Sequence, residues 1–377
     1  MNDLRKYKVA MVIGTRAELI KTFPVMKELE EFKIPYYFIH TGQHNLKGLC
    51  NKFSIKSPDL ILSKEPEKSS RFNASKLNAI FWNVSMLFKI RKVLRNLPEL
   101  KYVIFHGDTM NTGTGAIASS KLLNPFRRYQ TIHLEAGLRS GDISEPFPEE
   151  ILRKIADKFL DILLVVSNRS EENLKRYRNS KKIINIGNTV VDSASISYKM
   201  ALKRKIKPLS KQRFALISVH RHENINNKER LSNIVEILSF LSIPSYFTLH
   251  DNTRKKLMEF GLYQKLISNK NIIIIAPMDY PEFVYQISKC SLIVCDGGSM
   301  QEESLIFKKP SIILRKATER QEGLKTNFQF LSKLDIEKTK FKINEYLSGT
   351  FKIKPFKNPY GEPGLSKKIV QLLKKGI

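Results

Sequence analysis

The sequence predicts an α/β protein of two doubly wound domains, each a parallel sheet with helices on both faces. Three observations predict it. Short apolar runs alternate with amphipathic helical patterns almost without interruption along 377 residues. The scheme of the first half recurs in the second. The length, at roughly 100–200 residues per domain, favours two.

In chain order, the apolar runs place strands near residues 8–13, 36–40, 102–106, 131–134, 162–167 and 183–186, with helical patterns filling the gaps. The second half places them near 214–219, 246–250, 272–276, 292–295 and 311–314. The pattern pauses at Gly187-Asn188-Thr189, beside a lysine-rich stretch over 200–211, and the hinge is expected there. This gives a first domain over 1–187, a second over 188–358 and a tail over 359–377. Asn358-Pro359-Tyr360-Gly361 introduces a last helix with apolar Leu365, Ile369, Leu372 and Leu373. So isolated a helix needs a surface to cover, and it is expected to return to the first domain. No short repeat or low-complexity segment interrupts the chain.

Composition narrows the function classes. The 65 basic and 36 acidic residues leave a formal +29, and 42% of the chain is hydrophobic. Only short runs such as Lys203-Arg204-Lys205 break the scatter of lysines, which reads as a solvated surface suited to an anionic small substrate rather than to nucleic acid. Cys50, Cys290 and Cys295 are too few and too poorly spaced for a disulfide framework or a four-ligand zinc site, and are expected as packed thiols in a reducing cytoplasm. No run approaches the ~18 consecutive apolar residues of a membrane span, so no stable membrane insertion is expected. The N-terminus runs straight into a strand, and the mature chain is expected to begin there.

The polar signatures fall where strands end. His106-Gly107-Asp108-Thr109 and His133-Leu134-Glu135-Ala136-Gly137 each follow or close an apolar run, and Pro148-Glu149-Glu150 opens the next helix. In an open parallel sheet the strand C-termini line the ligand crevice, so Asp108 and Glu135 are expected in one cleft with Glu149 nearby, an acid/base site in outline. Gly14-Thr15-Arg16 with Lys21 in the following helix sets cations beside helix N–H groups, an arrangement suited to phosphate oxygens. Neither G-x-G-x-x-G nor G-x-x-x-x-G-K-[ST] occurs at that turn, which removes the usual motifs for NAD and ATP. In the second half, His220-Arg221-His222-Glu223, His250 and Asp296-Gly297-Gly298-Ser299 followed by Glu302-Glu303 also sit at strand ends. Glycines at a helix start let backbone approach a pyrophosphate, and a carboxylate one turn on can accept ribose hydroxyls.

Plainer readings stand beside these. Asp108 can cap the helix that follows, Glu149 can be a first-turn acid, and Asp296-Gly297-Gly298 can be an ordinary turn. His40, His106 and His133 are read as satisfied core or capping residues. His220 is read as functional because it sits in a polar cluster after an apolar strand.

Taken in order, Gly14-Thr15-Arg16-x-Glu18-x-Ile20-Lys21, Thr41-Gly42-Gln43-His44, His106-Gly107-Asp108-Thr109, Glu135-Ala136-Gly137-Leu138-Arg139-Ser140-Gly141-Asp142, Pro148-Glu149-Glu150, Gly187-Asn188-Thr189-Val190-Val191-Asp192, His220-Arg221-x-Glu223-Asn224, Gln301-Glu302-Glu303 and Thr318-Glu319-Arg320 resemble the non-hydrolysing UDP-N-acetylglucosamine 2-epimerases. The resemblance covers essentially the whole chain. It implies two Rossmann-like domains arranged as in GT-B glycosyltransferases, with a UDP-sugar in an interdomain active-site cleft, and no metal or redox cofactor. By position it implies that Asp108, Glu135 and Glu149 are catalytic carboxylates and that His220 serves the diphosphate leaving group. It further implies that Arg16, Lys21 and Arg320 are cationic or anchoring positions, that His250 lies near phosphate and that Gly297, Gly298 and Ser299 form the phosphate turn. The resemblance implies too that Phe283 neighbours the uracil and that Glu303 accepts from the ribose. Ala17, Gly297-Gly298-Ser299, Arg221-His222-Glu223 and Gln321 depart from the family pattern. None removes a carboxylate, and they bear on which UDP-sugar is taken.

The expected reaction is inversion at carbon 2 of UDP-N-acetylglucosamine or a related UDP-2-acetamido sugar, for surface polysaccharide synthesis, in a cytoplasmic homodimer. Carbon 2 is a weak acid, so its proton leaves more easily as UDP leaves carbon 1, and acid/base groups are needed on both faces of the ring. The other readings are a GT-B glycosyltransferase, a hydrolysing epimerase, and a nucleotide-sugar- or polyanion-binding protein without turnover, the last motivated by the +29 charge.

Overall fold

The computed structural model describes residues 4–63, 76–142 and 145–377. The chain divides into two compact units. The first comprises the chain up to Leu138 with Phe147–Ser193 and Tyr360–Ile377, and the second comprises Ala194–Pro359 with the loop Arg139–Pro146.

The first unit is built on β1 (Val9–Ile13), β2 (Tyr36–His40), β3 (Leu60–Ile61), β4 (Tyr102–His106), β5 (Gln130–Ala136), β6 (Ile162–Val165) and β7 (Lys182–Asn185). Their order is β3-β2-β1-β4-β5-β6-β7, every described pair parallel, with Met11 aligned between Phe38 and Ile104. All residues of β1 and β4 are buried, as expected of central strands covered on both faces. Val12, Val103, Phe105, Leu163 and Ala156 share one core, each large apolar side chain contributing about 1.5–3 kcal/mol. The order turns back between β1 and β4, so the two turns that leave these strands, at Gly14 and Gly107, lie at the topological switch point.

The second unit repeats the plan with β8 (Ala215–Ser218), β9 (Ser245–Thr248), β10 (Ile272–Ile275), β11 (Leu292–Cys295), β12 (Ser311–Ile313) and β13 (Gln329–Leu331), in the order β10-β9-β8-β11-β12-β13 and again parallel. Its switch point lies between β8 and β11, after Ser218 and Cys295. Its core gathers Ile217, Val219, Ile234, Phe247, Val294 and Ile312.

The last helix, Leu365–Lys375, belongs to the first unit and packs on the helix Arg16–Glu31. Its start has no side-chain cap of its own. Asp192 supplies one, accepting from the N–H groups of Gly364 and Ser366 at 2.6 Å each. Asn188 N–H donates to the Tyr360 carbonyl at 2.9 Å, and a Cβ on Gly187 would stand 2.5 Å from that oxygen, so only glycine fits there. The chain passes between units inside the helix Val190–Lys203, and the loop over 139–146 groups with the second unit although the sequence reading placed it in the first. Within that unit the Glu145 carboxylate receives both terminal nitrogens of Arg230 at 3.0 Å and the Lys316 N–H at 3.1 Å, which accounts for the grouping.

Candidate active site

In the first unit, β1 runs into a turn that only Gly14 permits, since a Cβ there would overlap the Asn111 side chain. Thr15 caps the Arg16–Glu31 helix with Glu18 as its reciprocal partner. Glu18 does more than cap. One carboxylate oxygen accepts from the N–H groups of Gly14 and Thr15 at 2.7 and 2.8 Å, and the other accepts from the Thr109 and Thr112 hydroxyls, tying the β1 turn to the β4 turn. Burial raises its pKa above the ordinary range, outweighing those hydrogen bonds.

Arg16 is exposed at the first helical turn. Lys21, one turn further, is buried, with its ammonium 2.7 and 2.9 Å from the two oxygens of Glu135. Glu135 lies within β5 where the register against β6 shifts between Leu134 and Ala136, and its φ is +68°. A non-glycine residue in this left-handed region costs on the order of 1–3 kcal/mol and persists only where its surroundings impose it. Here the imposing contacts are Lys21, the Asn188 amide donating at 3.4 Å, and His106. His106 Nε2 stands 3.2 Å from Glu135 Oε2 without hydrogen-bond alignment, so the contact is electrostatic. Burial pushes the His106 pKa down to about 4 although Glu135 pulls it up, so the ring is neutral at neutral pH.

Asp108 follows Gly107, whose φ is +71°, and its side chain is 27% exposed. The guanidinium of Arg153 contacts one of its oxygens. Glu149 is the first residue of the helix Glu149–Phe159, half-buried where a helix start favours a carboxylate.

In the second unit, β8 leads to His220 and β11 to Asp296. Asp296 is fully buried and accepts from the N–H groups of His220 and Arg221 and from the Asn224 amide. His220 is thereby fixed by its backbone while its side chain stays 41% exposed, its ring centroid 5.1 Å from that of the exposed His250. Gly297 and Gly298 open the helix Gly298–Ile306, which has no side-chain cap, and Ser299 follows. A Cβ on Gly298 would stand 2.7 Å from the Arg320 guanidinium, so glycine lets that group lie against the helix start. Arg320 Nε donates to Glu302 at 3.1 Å, and its Nη1 pairs with Glu319. Glu303 is buried and accepts from the Tyr280 hydroxyl at 2.7 Å. Phe283 is partly buried against the core of Phe214, Ile287 and Ile293.

The structure thus gathers Asp108, Glu135 and Lys21 around one switch point, and His220, Gly297, Gly298 and Arg320 around the other. Two readings change. His106 is a member of the Glu135 site rather than a satisfied core histidine. By contrast, both ring nitrogens of His40 lie within 2.9 Å of carbonyl oxygens, and those of His133 lie 2.7 and 2.8 Å from Asp157 and the Gly107 carbonyl. Of the cations expected at phosphate, Arg16 is exposed, whereas Lys21 and Arg320 are buried in ion pairs. Arg153, Asp157 and Tyr280 escaped the sequence reading; the spacing of Glu149, Arg153 and Asp157, four residues apart on one helical face, was the available signal. Among the described residues no group of three or more His, Cys, Asp or Glu is disposed to hold a metal ion.

Carboxylates at a switch point in one doubly wound unit, and an uncapped helix start beside a histidine in the other, sit where α/β enzymes handle small molecules, at the carboxyl ends of the strands. The family model described as UDP-N-acetylglucosamine 2-epimerase matches residues 27–374. A UDP-N-acetylglucosamine 2-epimerase of Methanocaldococcus jannaschii is 34% identical, covering 98% of this chain and 99% of its own length. A UDP-2,3-diacetamido-2,3-dideoxy-D-glucuronate 2-epimerase of Pseudomonas aeruginosa is 31% identical over 83% and 84% of the two chains. Among solved structures, M. jannaschii UDP-GlcNAc 2-epimerase in complex with UDP-GlcNAc and UDP superposes with a TM-score of 0.82 at 32% identity, covering 97% of this chain and 99% of that one. The chain belongs to the non-hydrolysing UDP-N-acetylglucosamine 2-epimerase family, and it is an isomerase.

Proposed function

We propose that the chain interconverts UDP-N-acetylglucosamine and UDP-N-acetylmannosamine by eliminating and re-adding UDP. One observation carries the reading: Glu135, held in a strained bulge between Lys21 and His106, lies on the strand beside the one that delivers Asp108. A carboxylate takes the carbon 2 proton as the carbon 1–oxygen bond breaks, leaving the glycal and UDP. A second returns a proton to the other face of carbon 2 while the UDP oxygen re-forms the bond at carbon 1. Asp108, Glu135 and Glu149 are the proton-transfer groups of this scheme. His220 and Arg16 balance the charge on departing UDP, each exposed enough to meet it. The Gly297-Gly298-Ser299 helix start takes the diphosphate, Glu303 the ribose hydroxyls and Phe283 the uracil, with His250 beside the phosphates. Lys21 and Arg320 act through their carboxylate partners.

The same reading makes the enzyme a cytoplasmic supplier of surface-polysaccharide precursors. Among the described residues no helix is long and apolar enough to cross a membrane. A homodimer is supported by the exposed stripe Phe81, Val84 and Phe88 along one face of the helix Lys76–Arg95.

The test is incubation of the enzyme with UDP-N-acetylglucosamine alone in deuterated water. A mixture of both UDP-sugars, reached from either side and carrying deuterium at carbon 2, is expected. Product that keeps its carbon 2 hydrogen would refute the carboxylate roles, free N-acetylmannosamine would mean hydrolysis, and turnover confined to a 2,3-diacetamido uronate would move the substrate to that class.

A further inference from the structure

Charged residues on an amphipathic helix normally face water, yet the helix Glu149–Phe159 buries Glu150, Arg153 and Asp157 almost completely. Burying such groups costs several kcal/mol each unless fixed partners compensate. Their partners include the β4 turn, a histidine of β5 and the helix itself. Arg153 donates through Nη1 to Glu150 at 3.0 Å and contacts Asp108 through Nη2. Asp157 lies 2.7 Å from Nδ1 of His133, whose Nε2 is 2.8 Å from the Gly107 carbonyl. A carbonyl only accepts, so that nitrogen donates. The helix thus reaches two successive residues of the turn, Asp108 directly through Arg153 and Gly107 through His133 of β5, while Glu18 accepts from the Thr109 hydroxyl.

We propose that Arg153 is a positioning residue that holds Asp108 oriented and ionised for proton abstraction, and this rests on the reading of Asp108 as a proton-transfer group. Glu150 engages one of the five guanidinium N–H groups within the helix, and Nη2 reaches beyond the helix to Asp108. Arginine suits the task because it remains charged at every working pH. A proton taken from carbon 2 cannot pass to the guanidinium and stays on the carboxylate until substrate or solvent removes it. The other titratable and charged groups around the turn include Glu150 and Asp157 on the same helix, His106 and His133 on β4 and β5, Glu135 with Lys21, and Glu18.

The proposal is tested with Arg153→Met, Arg153→Lys, Asp108→Asn and the Arg153→Met/Asp108→Asn pair in the full-length enzyme. Arg153→Met is expected to lose about 100-fold in kcat with KM and calorimetric UDP affinity within about threefold of wild type. Its acidic pH limb should move to higher pH, and Arg153→Lys should recover about tenfold of the loss. In the Asp108→Asn background, Arg153→Met should cost nothing more. A folded Arg153→Met enzyme with wild-type kcat, or one whose loss persists undiminished in the Asp108→Asn background, would overturn the proposal. Should Arg153→Met fail to fold, an Arg153→Lys enzyme with unchanged kcat and pH profile overturns it equally. A readout without turnover separates this from the epimerase reading. Carbon-13 NMR of labelled aspartate carboxyls, with Asp108→Asn as the assignment control, should show Asp108 ionising at higher pH in Arg153→Met. An unmoved signal refutes the role of Arg153, whereas a moved signal in an enzyme that never exchanges carbon 2 hydrogen refutes only the reaction.

Discussion

The two units place a carboxylate just past equivalent strands, Asp108 after β4 and Asp296 after β11, and use them in opposite ways. Asp296 is fully buried, and two backbone N–H groups and the Asn224 amide converge on it. Its charge is spent on shaping the His220 turn. Asp108 meets the guanidinium of Arg153 and is partly open to solvent. What distinguishes the two strand-end carboxylates is their setting: backbone N–H donors converge on the buried one, while a guanidinium meets the one that stays partly open to solvent.

That contrast is broken or upheld first by amide substitution. Asp108→Asn and Glu135→Gln should each lose at least ~100-fold in turnover while binding UDP normally, as acid/base groups do. Asp296→Asn should do the reverse in character: it sets an amide NH2 against N–H donors, and about 3 kcal/mol of stability should go together with UDP affinity. Chemical denaturation and UDP calorimetry on the two aspartate variants decide the matter. Similar profiles for both would dissolve the distinction.

Much of this plan was legible in the sequence because central parallel strands, buried on both faces, read as continuous apolar runs. The edge strands β3 and β13, of two and three residues, lacked the length for such a signal. Strand-end carboxylates announced themselves, but their partners did not. His133-Leu134-Glu135 reads as regular alternation, and nothing in it foretells the left-handed bulge at Glu135. Arg153 looks like the solvated side of an amphipathic helix, because burial of a charge depends on a turn some 45 residues away in sequence. Lys21 was placed on the helix after the first strand, yet its carboxylate partner, on another strand, was not visible.

The last residues of the same two strands supply a finer comparison. His106 ends β4 and Cys295 ends β11, and burial keeps both neutral, the first by pushing its pKa down to about 4, the second by raising its thiol well above the ordinary range. For the histidine the sign follows directly. The unfolded chain binds a proton below about pH 6.5 and the folded one only near 4, so this part of the stability is present above pH 6.5 and is lost as pH falls toward 4. The full loss is on the order of 3 kcal/mol. Urea unfolding of wild type and His106→Asn between pH 7 and 4 should show a shallower slope in the variant. Parallel curves would mean that Lys21 and Glu135, rather than His106, set the acid response of the site.

The smallest effect concerns Glu303, a buried carboxylate that accepts a 2.7 Å hydrogen bond from the Tyr280 hydroxyl. Burial and the neighbouring Glu303 push the Tyr280 pKa well above its ordinary value, so the phenol remains a donor throughout the working pH range. If Glu303 accepts from the ribose hydroxyls, that donor fixes which way the carboxylate faces. Tyr280→Phe should then weaken UDP by about fivefold, the worth of one neutral donor to a charged acceptor at the low end, and weaken 2′-deoxy-UDP by less. Calorimetry with both nucleotides reads the difference. An equal loss for the two would place Tyr280 in general packing of the pocket, and no loss for either would leave Glu303 oriented by Glu302 and its helix rather than by the phenol.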